Sequence, residues 1–117
     1  MKLQKTKIWA DINGEEAVVR FLPSSLREMS EVNKVVEELE DVGYNHKIKV
    51  LVINFDRLKN MTSSFLGKLI ALNKSMSQIG VALRVCGMSS EVQSAFKICR
   101  LDKLIPTFDN EEKALKG

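Results

Sequence analysis

Thr62, Ser63 and Ser64 form the longest run of hydroxyl side chains in this 117-residue chain. Before them lies Val50-Leu51-Val52-Ile53, an unbroken apolar segment of strand length. After them Phe65, Leu66, Leu69, Ile70, Met76 and Ile79 recur at helical spacing up to Gly80. The run therefore falls at a strand-to-helix turn, where the first N–H groups of a helix lack partners and a hydroxyl can accept from them. Those N–H groups and the positive end of the helix dipole also stabilise added negative charge, so the position that caps the helix suits a phosphate as well. A loop at the end of a central strand is open to a partner.

Other chemistries find no support. Gly67-Lys68 has no glycine five positions earlier and lies inside the predicted helix, so it is not a nucleotide-phosphate loop, and Lys68 reads as a solvated helix residue. There is no Gly-x-Ser-x-Gly elbow, and the single histidine, His46, would have to carry any Ser-His-acid arrangement alone. Cys86 and Cys99, 13 positions apart, have no metal-ligand spacing and read as buried, reduced apolar residues. No catalytic residue, metal or cofactor is expected, and no ATP or GTP hydrolysis.

The elements that must position the hydroxyls follow from periodicity. Lys7 to Ile12 alternates, with Ile8, Ala10 and Ile12 on one face and Trp9 on the other, where it is a candidate anchor for a partner. Asn13-Gly14 predicts a hairpin turn into a second strand over 17–22, closed by Pro23. Ser25-Leu26-Arg27-Glu28 matches a capping box and predicts a helix from Leu26 to Val42, with an apolar stripe of Leu26, Met29, Val32, Val35, Val36, Leu39 and Val42 and a left-handed stop at Gly43. The all-apolar strand at Val50 reads as central. A strand over 81–85, a second capping box at Ser90-Glu91-Val92-Gln93 and a helix with Val92, Ala95, Phe96 and Cys99 inward come next. A short edge strand at Ile105-Pro106-Thr107-Phe108 and a final helix capped by Asp109 or Asn110 complete the chain. The order ββαβαβαβα predicts one α/β domain over residues 1–117: a mixed sheet, opened by a hairpin and continued by right-handed strand-helix units, with helices on one face.

The length supports one core, and 44% hydrophobic with 28% charged residues is the composition of a globular domain. No apolar run approaches the roughly 20 residues of a membrane span, and the N-terminus lacks the ~7–15-residue apolar core of an export signal, so a cytoplasmic protein is expected. A net charge of +3 does not argue for nucleic acid. Its distribution is uneven: Leu26 to Val42 holds two basic and six acidic residues, net −4, which leaves +7 on the remainder.

From Val50 to Lys74, a Met before the hydroxyl run, two serines, a following Leu-Gly and a helix ending in Gly80 resemble the bacterial STAS domains, specifically the anti-sigma factor antagonists. The order from Val81 to Cys86, the Ser89-Ser90 cap, Phe96, Leu101 and the closing 108–115 agrees. The resemblance covers the chain from about Ala17 onward. It implies a non-enzymatic bacterial regulator that binds an anti-sigma factor, itself a serine kinase of the ATPase fold, and so controls sigma-factor-dependent transcription. The family's motif is Asp-Ser-Ser-Gly-Leu with the first serine as phosphoacceptor, which carries over to Ser63, with Ser64 or Thr62 as fallback. Thr62 stands in the place of the Asp and Phe65 in that of the Gly, while Leu66 and Gly67 match. The implied contact surface is Thr62, Ser63, Ser64, Lys68 and the adjacent loop Met88, Ser89, Ser90. The family also includes accessory subunits that bind the ATPase of ABC-type lipid transporters, which is the alternative reading.

Overall fold

The computed structural model describes residues 1–117. Strand β2 (Ile8–Asn13) turns into β3 (Glu16–Phe21) with Asn13 facing Glu16, so the two-residue turn is Gly14-Glu15 and not Asn13-Gly14. Gly14 alone takes a positive φ, +61°, the pattern of a primed hairpin turn with glycine first. A strand that the alternation did not signal, β1 (Lys2–Gln4), adds antiparallel to β2.

The expected helix start at Ser25 is corrected. Ser25–Leu26 is a two-residue strand, β4, and helix α1 runs from Met29 to Asn45 with Glu28 at its N-cap and no side-chain cap. Leu26 is fully buried but not on the helix, and Met29 is exposed. The reason lies farther along the chain: β4 pairs in parallel with β6 (Asn60–Met61), and Thr62 N–H donates to Leu26 O at 3.1 Å. A backbone ladder outweighs one local cap. Gly43 is not a stop either. It lies within α1, where a Cβ would collide with Sδ and Cε of Met76 on α2, so the glycine permits close approach of two helices.

The central strand β5 (Val50–Asn54) lies between β3 and β7 (Ala82–Cys86), parallel to both, and the short β8 (Thr107–Phe108) closes the sheet in the order β1-β2-β3-β5-β7-β8. Helix α2 (Ser63–Gln78) ends as expected at Gly80. Its N–H bonds Ser77 O, and Val81 N–H bonds Met76 O at 2.8 Å, with φ of +79° at the glycine. Helix α3 (Ser90–Ile98) and a 3₁₀ turn, Leu101–Lys103, precede β8, and α4 (Glu111–Lys116) is capped by Asn110, which accepts from Lys113 N–H at 2.9 Å.

The mixed sheet with strand-helix units is thus present, and α1, α2 and α3 cover one face. Val32, Val35, Leu39 and Val42 of α1 join Phe65, Leu66, Leu69, Leu72 and Met76 of α2 and Val92 and Phe96 of α3 over Ala17, Val19, Leu51, Ile53, Leu83 and Val85. Within these stripes Val36 is only half-buried, Ile70 and Ile79 are exposed, and Leu72 takes the inward position. Helices on one face does not extend to α4: Ala114 packs on Val18, Val52 and Cys86, the alternate residues of the same strands, and so covers part of the opposite face.

That opposite face carries a polar clasp. Arg20 on β3 grips Glu111 on α4 through Nε and Nη2, both at 2.7 Å, while Asn54 Nδ2 donates to the same carboxylate at 2.6 Å. The Arg20 hydrogen bonds hold the Glu111 carboxyl below its ordinary range, Asn54 adds to this, and partial burial opposes it. A carboxyl whose pKa is depressed by folding contributes stability above its unfolded value, which is lost as pH falls through the lower folded value. We expect stability to decline as pH drops below about 4.5, the ordinary Glu value. Glu111→Gln should flatten that decline in denaturant titrations across this range, and an unchanged acid slope would show that the clasp contributes nothing.

Cys86 is buried, and desolvation pushes its thiol up to about 11, so it stays protonated at neutral pH. Cys99, expected inside, is exposed at the end of α3, where the chain leaves the helix through Arg100 in the left-handed region.

Candidate functional site: the start of the second helix

The loop after β5 is held from beneath by aromatic packing. Phe55 meets Phe21 edge-on at a ring separation of 5.2 Å and Phe96 at 6.0 Å. Phe65 sits 5.9 Å from Phe21 and 6.3 Å from Phe55. Phe65 and Leu66 face inward, which turns the residues just before them, Ser63 and Ser64, outward into solvent. The bulk at position 65 therefore lies in the core and away from the surface that the serines present. From the other side, Lys59 N–H donates to Ser24 O at 2.7 Å, and the β4–β6 pair completes a rigid approach to the helix.

Thr62 is the N-cap residue, but its side chain makes no capping bond. Its Oγ1 is buried without a hydrogen-bond partner, and its carbonyl accepts from Phe65 N–H at 3.1 Å. The expected hydroxyl cap is thus absent. The Ser63 and Ser64 N–H groups, which have no carbonyl four residues back within α2, receive no acceptor from Thr62, and the helix opens with unneutralised dipole and two exposed hydroxyls. Lys68, half-buried, lies one turn along from Ser64.

The second loop of the expected surface is displaced by one residue from its predicted cap. Ser89 caps α3, accepting from Val92 N–H at 3.3 Å, and Gln93 reaches back to Met88 O at 3.1 Å; Ser90 is the first helical residue and exposed. Since β5 and β7 are parallel neighbours with Asn54 opposite Cys86, the loops that follow them emerge at the same end of the sheet. A small cleft of about 100 Å³ between them is lined by Lys59, Asn60, Met61, Glu91, Val92 and Ala95. None of the predicted residues Thr62, Ser63, Ser64, Lys68, Met88, Ser89 and Ser90 lines this cleft. Leu58 and Met61, apolar positions in an otherwise polar linker, were the signal that this linker packs down onto the core.

The STAS domain model matches residues 16–114. The chain belongs to the STAS domain family. Its fold is also that of solved structures at low sequence identity. An anti-sigma-factor antagonist (STAS) domain protein from Planctomyces limnophilus superposes with a TM-score of 0.80 at 16% identity, over 97% of this chain and 98% of that one. The Bacillus cell fate determinant SpoIIAA, in its phosphorylated form, gives 0.69 at 17% identity over 93% and 96%. A sulfate transporter family protein from Wolinella succinogenes gives 0.72 at 16% over 91% and 86%. No helix of this STAS domain is long and apolar enough to cross a membrane.

Proposed function

We propose that this STAS domain is a cytoplasmic, non-enzymatic regulator that binds an anti-sigma factor through the start of α2 and is switched by phosphorylation of Ser63. The observation that carries this reading is the pair of exposed hydroxyls, Ser63 and Ser64, at the uncapped opening of a 16-residue helix. A phosphate on Ser63 adds roughly −1.5 to −2 charges, and the open N–H groups absorb that charge without a change of fold. A partner that meets a neutral hydroxyl cannot absorb it. Desolvating the phosphate against a surface with no cation weakens binding by at least tenfold, about 1.4 kcal/mol. The partner is then a serine kinase of the ATPase fold, and its release of a sigma factor makes transcription the output.

The test begins with recovery of the partner from native lysate and its identification by mass spectrometry. Calorimetric titration should show Ser63→Ala binding like the parent and Ser63→Glu at least tenfold weaker. Intact-mass analysis after incubation with the partner and ATP should add one phosphate to the parent and none to Ser63→Ala. A phosphate that moves to Ser64 reassigns the acceptor within the same surface, whereas the buried hydroxyl of Thr62, the other fallback, is closed to a kinase unless the helix start opens. No phosphate on any of the three, with Ser63→Glu binding at parental strength, ends the switch reading. The resemblance to the STAS family, which includes accessory subunits of ABC-type lipid transporters, motivates the competing reading, an accessory subunit that binds the ATPase of such a transporter. Recovery of such an ATPase in place of an anti-sigma factor decides for it.

A further inference from the structure

The polar clasp that holds α4 does not end at α4. Asn54, the last residue of β5, is 8% exposed and closes the apolar run Val50-Leu51-Val52-Ile53 with an amide. On one side its Nδ2 donates to Glu111 Oε2 at 2.6 Å, the oxygen that Arg20 Nε also reaches at 2.7 Å. On the other its Oδ1 accepts from Asp56 N–H at 2.8 Å, in the turn that leaves the sheet and that Leu58 N–H closes on Phe55 O at 3.0 Å. This turn opens the stretch that runs through β6 to Ser63. Gly87, just past the end of β7, packs on the amide from a third side: a Cβ there would stand 2.5 Å from Asn54 Oδ1.

The two contacts select the side chain. An amide offers a donor and an acceptor on one carbon, whereas a carboxylate has no proton to give Glu111 and an apolar chain serves neither side. They also select its orientation, since the reverse one would set Oδ1 against a carboxylate and Nδ2 against an N–H. Glu111 thus fixes which way the amide points, and the amide holds the Asp56 N–H. We propose that Asn54 is a positioning residue that carries the docking of α4 to the turn before Ser63, so that Glu111, on the opposite sheet face from α2, helps to set the shape of the partner surface. This rests on the reading of the α2 start as the contact. Without Glu111, Nδ2 loses its one acceptor, and the amide is free to turn its oxygen to Arg20 and withdraw it from Asp56.

The first readout needs no partner. Solvent exchange of the Asp56 and Leu58 amides, followed by NMR, should quicken about tenfold or more in Glu111→Ala, while Val52 and Ile53 in the preceding strand report that the fold is intact. Glu111→Gln keeps a carbonyl oxygen for Arg20 and Asn54 and should stay within about threefold of the parent. Arg84→Met is the control for a loosened helix: it removes the bond from Arg84 Nη1 to Ala114 O at 2.7 Å, toward the other end of α4, and should leave both amides unchanged. With the partner recovered, calorimetric titration should find Glu111→Ala weaker by about threefold or more and Glu111→Gln at parental strength. Unchanged exchange at Asp56 in Glu111→Ala, equal quickening in Glu111→Gln or Arg84→Met, or parental partner binding despite a loosened turn would each overturn the proposal. Failure of phosphate transfer to Ser63 leaves the exchange result standing and counts against the switch alone, so the two readings fail separately.

Discussion

Replacing Phe65 by glycine, the residue that the resembled motif carries at that place, is expected to destabilise this protein by about 3–6 kcal/mol rather than improve it. Phe65 is fully buried between Phe21 and Phe55. Removing a buried phenyl ring costs about 3–5 kcal/mol through lost transfer energy and an unfilled cavity, and glycine in a helix adds up to about 1 relative to alanine. Against a total stability of about 5–15 kcal/mol, that is a fifth or more. Phe65→Leu keeps most of the volume and should lose no more than about 1.5 kcal/mol. Chemical denaturation of the two variants separates these outcomes. A loss below about 1 kcal/mol for the glycine variant would mean that the ring does not support the helix start, and the inward assignment of position 65 would have to be abandoned. The motif's glycine and this phenylalanine are therefore not interchangeable: here the aromatic cluster holds the loop from Phe55 and the first turn of α2 in one piece, and the serines are presented by it.

The parts of the fold that the sequence made legible were those set by a long period on one element. The apolar run at Val50, the Gly80 stop of α2 with the inward Phe65, Leu66, Leu69 and Met76, and the hairpin before α1 depend on neighbours close in the chain, and the structure has them, although Ile70 and Ile79 turn outward and the hairpin turn shifts to Gly14-Glu15. What escaped depends on residues far apart. Ser25 and Glu28 satisfy a capping pattern, yet the backbone at Ser25 is committed to Asn60, and no local rule contains that pairing. Gly43 has the spacing of a helix stop, but its reason for being glycine is Met76 on another helix. The same division applies to the candidate site. The exposure of Ser63 and Ser64 follows from the inward phase of Phe65 and Leu66, which the sequence displays. The idle side chain of Thr62 does not, because whether a hydroxyl bonds an N–H or turns into the interior is decided by the strand pairing just before it.

Glu38 is the strongest instance of such a distant partner, and its removal should be felt well beyond a surface substitution. By spacing it belongs to the acidic outer side of α1, but only 6% of it is exposed. Its Oε2 accepts from Thr6 N–H at 2.9 Å and its Oε1 from Lys7 N–H at 2.7 Å, so one carboxylate satisfies two consecutive backbone donors where β1 turns into β2. Those donors have no strand partner at the turn, and Glu38 satisfies both of them from α1. Each orphaned donor costs about 1–3 kcal/mol if it stays buried. Thr6 is exposed and Lys7 half-buried, so water can recover part of this, and Glu38→Ala should lose about 2–3 kcal/mol in all. Glu38→Gln keeps one acceptor and should lose about half as much. The ion pairs nearby, Lys5 with Asp41 and Lys7 with Glu31, join partly exposed side chains and contribute at most about 1 kcal/mol each, so alanine at Asp41 is the matched control for charge alone. Denaturant titration gives the magnitude, and hydrogen exchange at Thr6, Lys7 and the β1 amides gives the location. If Glu38→Ala changes stability by no more than about 0.5 kcal/mol, the range of an ordinary surface change, the carboxylate is a bystander and the hairpin is held by its apolar face alone.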